Sequence, residues 1–115
     1  MDHDPACIFC KIVAGQIPSR KVFEDDELLV FHDVAPWAPV HVLMIPKAHI
    51  ATLYDIDERH AALFGRMIAM APGLMKRLGA DNGFRTLINT GRDGRQEVQH
   101  VHVHVMGGPR PWAKG

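Results

Sequence analysis

Only two cysteines occur in the 115-residue chain, and they stand three positions apart at Cys7 and Cys10. No disulfide closing a long loop is available, so stability must come from an apolar core. Excess charge is missing as well: 13 Lys and Arg balance 13 Asp and Glu. That leaves no global basic field to draw in nucleic acid or anionic lipid, and an anionic ligand would have to be held by local groups. No apolar run approaches a membrane span. Met1-Asp2-His3-Asp4-Pro5 has no basic stretch leading into an apolar one, so no secretory signal is read there and a cytoplasmic protein is expected. Internal repeats and low-complexity segments are also lacking. What remains, 47% hydrophobic and 23% charged residues, suits one globular domain spanning 1–115.

Hydrophobic periodicity suggests an α+β domain. Cys7 to Ala14 reads as one or two helical turns, ended by Gly15-Gln16-Ile17-Pro18-Ser19. Lys21-Val22-Phe23 and Leu28-Leu29-Val30-Phe31 read as paired strands around the acidic turn Glu24-Asp25-Asp26-Glu27. After a loop with Pro36 and Pro39, residues 40–45 form an apolar strand stopped by Pro46. A long helix should begin at Asp55 to Glu58, which have capping-box spacing, and bury Phe64, Met67, Ile68, Ala71, Leu74, Met75 and Leu78. Pro72 should kink or break it, because a proline there removes a hydrogen bond and clashes with the preceding turn. A strand from Phe84 to Asn89 and a final one at 100–106 complete about five strands in an antiparallel sheet, with one long and one short helix.

The final strand carries the chemistry. In His100-Val101-His102-Val103-His104-Val105-Met106, period-two alternation puts the three histidines on one face and the valines on the other. A rise of about 3.3 Å per residue spaces the imidazoles about 6.6 Å apart and separates the outer two by about 13 Å. One zinc, with each ligand about 2 Å away, cannot hold all three, so at least one has another task. A neutral imidazole is a nucleophile near neutral pH, and a neighbour can protonate a leaving group. His102 is expected to be the exposed attacking ring.

The loop Gly91-Arg92-Asp93-Gly94-Arg95-Gln96 can turn backbone N–H groups toward an anion, and Asn89 could orient a ribose or phosphate. Phosphate chemistry is therefore favoured over acyl transfer. Cys7-Ile8-Phe9-Cys10 is either two inert thiols or half a zinc site, with His49 and His100 as candidate further ligands.

These motifs together resemble the histidine triad superfamily. Ile17-Pro18, Phe23-Glu24-Asp25-Asp26, Phe31-His32-Asp33, Ala38-Pro39-Val40-His41, Ile45-Pro46-Lys47 with His49, and Gly107-Gly108 are similar to its Hint branch, the purine nucleoside phosphoramidate hydrolases. The resemblance covers about Ile8 to Trp112. It implies a homodimer whose two sheets join into one, with a nucleotide site in each subunit. It also implies cleavage of P–N bonds in adenosine or guanosine phosphoramidates without a catalytic metal.

By that likeness His102 attacks the α-phosphorus and is transiently nucleotidylated, and water then releases AMP or GMP. His104 contacts the phosphate and helps protonate the amine, His41 completes the cluster, and the backbone carbonyl of His100 orients His102. Phe31, His32, Asp33 and Val34 hold ribose and base, Ile8, Phe9 and Ile12 wall the base, and Asn89 faces the phosphate with the loop residues Gln96, Glu97 and Val98. Trp112 reaches toward the partner subunit's site. Cys7, Cys10, His49 and His100 match the four ligands of a structural zinc found in some members. The pattern departs at Arg95-Gln96-Glu97, where the branch usually has Gly-Gln and then Ser or Thr. Ionised Glu97 cannot donate to a phosphate oxygen as a hydroxyl does. Other readings are a dinucleoside polyphosphate hydrolase of a sister branch and a non-catalytic purine nucleotide or zinc-binding module.

Overall fold

The computed structural model describes residues 2–114. A short helix, α1 (Ile8–Val13), opens the fold, and Cys7 caps it by accepting the N–H of Cys10 on Sγ. Strands β1 (Lys21–Glu24) and β2 (Leu28–His32) form a hairpin. Its turn is closed by Asp25, whose carboxylate accepts the N–H groups of Glu27 and Leu28, each at 2.8 Å. Strand β3 (Val40–Pro46), helix α2 (Ala61–Arg77), β4 (Phe84–Leu87) and β5 (Val103–Gly107) follow. The strands make one antiparallel sheet in the order β1-β2-β3-β5-β4. The α+β architecture with five antiparallel strands is thus observed. No helix among the described residues is long and apolar enough to cross a membrane.

Register divides the sheet into two faces, and each face has its own core. Leu28, Val30, Val42, Met44, Val103 and Val105 pack against Met67, Ala71, Leu74 and Met75 of α2. Leu29, Phe31, Leu43 and Ile45, on the opposite face, pack against Cys7, Phe9, Cys10 and Ile12 of α1 and its cap. His41 and His104 share that second face, because His104 pairs with Leu43 and His41 with Met106. The wide loop from Asp33 to Pro39 ends close to the tip of β5. A side chain on Gly108, which has φ +108°, would stand 2.8 Å from Pro39 Cβ.

Several expectations are corrected here. Asp55 and Glu58 do not form a capping box. Asp55 instead closes one with Thr52 around a 3-10 turn, Leu53–Asp55, and a second turn, Glu58–His60, is capped by Asp57 before α2 starts. Pro72 does not break α2, which stays helical through Arg77 with Pro72 on its exposed side. The carbonyl left without its usual donor belongs to Ile68, which is itself 49% exposed and open to water. Ile68 accordingly lies on the rim of the buried stripe, not in it. Strand β4 ends at Leu87 rather than Asn89, and the final strand begins only at Val103. Before it, Val101 donates to Ile50 O at 2.7 Å, so that segment leaves the sheet ladder.

Candidate active site and metal cluster

Two clusters of titratable side chains lie on the α1 face. Among the described residues, these are the groups able to hold a metal ion: Cys7, Cys10, His49 and His100, and separately Asp33, His41 and His104. The triad histidines are therefore shared out. His100 turns toward the thiols, and His102 and His104 stay together with ring centroids 4.9 Å apart, closer than the pleat spacing expected from a regular strand.

Hydrogen bonds fix the proton on each ring, because backbone N–H groups only donate and carbonyls only accept. His102 Nδ1 lies 2.7 Å from the carbonyl of His100, so Nδ1 carries the hydrogen and Nε2 keeps its lone pair. The N–H of Trp37 donates to His41 Nδ1 at 3.0 Å, so neutral His41 carries its hydrogen on Nε2. That hydrogen points to His104 Nδ1, 2.9 Å away. Neutral His104 is thereby left with an Nε2–H. A nucleophile with a free lone pair and a proton donor stand side by side, each set by a chain of bonds that ends on the backbone.

The expected exposed ring at 102 is corrected: His102 is 5% exposed, with Phe9 edge-on at 5.1 Å. Among the described residues, the buried side-chain polar atoms without a partner are Ser19 Oγ and Thr90 Oγ1. His102 Nε2 is not one of them and no hydrogen bond occupies it. Burial pushes the His104 imidazole down to about 4, helped by His102 and His41 and opposed by Asp33. Burial also holds His102 below the ordinary imidazole value, against the His100 carbonyl and the carboxylates of Asp33 and Glu97. His41 is lowered by the same cause, with Asp33 pulling the other way. All three rings are kept neutral near pH 7.

Other candidate residues divide in two. Phe31 and Phe9 are buried and meet edge-on at 5.6 Å, whereas Ile8 is 47% and Val34 98% exposed at the rim. Asp33 Oδ1 accepts the Ala35 N–H, and its Oδ2 lies 3.5 Å from His41 Nε2. Asn89 is half-buried with an amide that makes no hydrogen bond, two residues beyond Leu87, which pairs with His104. Glu97 is exposed and Val98 packs onto the α1 core. Two positions, His32 and Gln96, differ from expectation. His32 pairs with Val42, so its side chain belongs to the α2 face and not to that of Phe31 and Asp33. Gln96 is a brace: its amide accepts from Gly91 N and donates to Ala51 O and Val98 O, leaving no side-chain N–H for a phosphate. Trp112 donates to Gly108 O of its own chain and lies under Arg110. Sequence reasoning missed Trp37, whose N–H and indole both meet the histidines; a tryptophan between two prolines was its only signal.

The four-residue cluster fits a tetrahedral ion. Cys7 Sγ and His100 Nδ1 are 3.4 Å apart, Cys10 Sγ and His49 Nδ1 3.4 Å, and Cys10 Sγ and His100 Nδ1 3.6 Å. A tetrahedron with metal–sulfur bonds of about 2.3 Å and metal–nitrogen bonds of about 2.05 Å has sulfur–nitrogen edges of about 3.6 Å. His100 Nε2 donates to Pro46 O at 2.8 Å, leaving Nδ1 unprotonated toward the thiols.

Comparison with known proteins decides the family. The family model described as HIT domain matches residues 14–110. The chain belongs to the HIT family. Protein HitA of Neisseria gonorrhoeae is 48% identical over 103 residues, covering 90% of this chain and 96% of that one. A 14 kDa zinc-binding protein of Brassica juncea is 46% identical over 103 residues, covering 88% and 91%. Adenylylsulfatase HINT1 of Arabidopsis thaliana is 45% identical over 107 residues, covering 91% and 73%. Among solved structures, a HIT family hydrolase from Legionella pneumophila superposes with a TM-score of 0.86 at 42% identity, covering 90% of this chain and 94% of that one. A Zn-bound histidine triad family protein from Mycobacterium smegmatis gives 0.79 at 33%, covering 89% and 74%.

Proposed function

We propose that this HIT protein is a hydrolase that cleaves the P–N bond of purine nucleoside 5′-phosphoramidates. The observation that carries the reading is the complementary pair of rings: a free Nε2 lone pair on His102 beside an Nε2–H on His104. The names of two similar proteins, an adenylylsulfatase and a HIT family hydrolase, support hydrolysis.

In this reading His102 Nε2 attacks the α-phosphorus. A bond from phosphorus to imidazole forms as the substrate's P–N bond breaks, and the amine leaves with the bonding pair. The bound phosphate anion opposes the burial that keeps His104 neutral, so His104 enters as imidazolium, its added Nδ1–H turning from His41 Nε2–H to the Asp33 carboxylate of the same cluster. It passes its proton to the departing nitrogen, which makes the amine a far better leaving group. The adduct's positive ring is held at Nδ1 by the His100 carbonyl. Water then attacks phosphorus and gives a proton to His104. The imidazole leaves, and the nucleoside monophosphate is released with both histidines restored. Phe9, Phe31, Ile8 and Val34 hold the base, Asp33 and Asn89 the ribose and phosphate, and Glu97 lies beside the phosphate.

The cysteine and histidine cluster holds a structural zinc in this account, supported by its tetrahedral edges and by the zinc-binding names of two relatives. It would clamp α1, and with it Phe9, to the sheet. The working unit is a single domain in the cytoplasm that pairs with a second copy. A fluorogenic adenosine phosphoramidate assay of wild type against His102→Ala tests the reaction. The expected loss is at least about 1,000-fold in turnover, as for a covalent nucleophile. Equal rates, or wild type that binds AMP without turning over, would reject it.

A further inference from the structure

We infer that Trp37 is the specificity-determining wall of the leaving-group side, selecting amines that carry a flat aromatic ring. The inference rests on the P–N hydrolase reading above. Trp37 stands in the loop between Pro36 and Ala38, half-buried, where a polar connection would ordinarily be expected. Its indole lies nearly parallel to the His104 ring, with centroids 5.7 Å apart and planes 20° apart. It meets His41 at 5.8 Å and 65°. On its far connection the C-terminal segment holds it: Lys114 N donates to Trp37 O at 3.3 Å, and Lys114 Nζ lies 5.8 Å from the ring centroid.

The backbone of Trp37 is therefore held by Lys114, and its indole is stacked on the ring of the proton donor with an offset that leaves part of that face uncovered. The nitrogen that takes a proton from His104 Nε2 must come within hydrogen-bond reach of it, about 3 Å. Its substituent then begins next to the indole, on a rigid aromatic surface that an aryl group can stack against and a small alkyl group cannot. Backbone and side chain have separable tasks. The N–H of residue 37 sets the His41 tautomer whatever its side chain, whereas the indole alone supplies the stacking surface.

The test is the ratio of kcat/KM for two adenosine phosphoramidates, one of a 2-arylethylamine and one of methylamine, in wild type, Trp37→Gln and Trp37→Phe. The ratio is unmoved by a general loss of activity. An aromatic pair contributes about 2- to 12-fold beyond burial, so wild type should favour the aryl substrate by that factor. Trp37→Gln should bring the ratio near one, and Trp37→Phe should retain part of the preference. A ratio unchanged in Trp37→Gln while both substrates turn over overturns this inference alone. Absence of turnover of either substrate by wild type overturns the hydrolase reading with it. Should Trp37→Gln not fold, the graded change in Trp37→Phe decides, and no change there overturns the inference.

Discussion

Two histidine clusters share one face of the same sheet, and they differ in which ring nitrogen the backbone has taken. In the thiol cluster His100 donates its Nε2–H to Pro46 O, so the lone pair at Nδ1 faces the sulfurs. In the acidic cluster Trp37 N–H occupies Nδ1 of His41, so Nε2 must carry a hydrogen. The first arrangement leaves a ligand and the second leaves a proton donor. A protonated ring nitrogen cannot hold a metal, although Asp33, His41 and His104 have donor atoms close enough together to do so. Proximity of metal-binding residue types thus does not make a site; the bond at the far nitrogen decides. His100 belongs to both regions, its ring among the thiols and its carbonyl on His102.

The largest expected separation between the clusters is in turnover. His104→Ala should lower kcat by about 100- to 10,000-fold, the range for a lost general acid, with metal content unchanged. His41→Ala should act in the same direction by freeing His104 Nδ1. Metal analysis alongside steady-state kinetics checks both, and a loss of metal in either variant would break the comparison. Next comes metal. Wild type should carry one zinc per chain, and a Cys7→Ser, Cys10→Ser double variant given excess zinc should carry none. Binding at the acidic cluster in that variant would contradict the tautomer assignment. Removing the ion should lower stability by at least about 2.7 kcal/mol, the linkage expected a hundredfold above Kd, read in denaturant unfolding.

The smallest effect is with pH. His104 has its folded pKa depressed to about 4. The unfolded chain therefore takes up that proton first as pH falls, and stability contributed by the neutral ring declines from about pH 6.5 to about 4 and is level outside that window. Thermal unfolding of His104→Gln should show a shallower decline over that window than wild type. An identical slope would mean the ring is not held neutral.

Much of the fold was legible because it follows from burial. Valine and leucine runs gave β2, β3 and β5, and the stripe of Met67, Ala71, Leu74 and Met75 gave α2. The residues of both clusters were also legible as residue types, and the thiols, His49 and His100 do meet. What escaped is backbone chemistry. The N–H of Trp37 and the carbonyl of Pro46 have no side-chain signature, and the carbonyl of His100 was expected only through the family resemblance, yet together they assign every ring its role. The regular alternation at 100–106 suggested an even row of imidazoles with His102 exposed, whereas the bond from Val101 to Ile50 takes the first half out of the ladder and His100 lies against the thiols. Gln96 beside a glycine-rich loop looked like a ligand contact, and its amide instead satisfies three backbone groups, as a buried amide must.

Rapid-quench mass spectrometry of wild type turning over an adenosine phosphoramidate bears most directly on the role of His102. A peptide containing His102 should gain the mass of an adenylyl group within a single turnover and lose it as AMP appears. An adduct on any other residue, or full turnover with no adduct on the protein, would contradict the account.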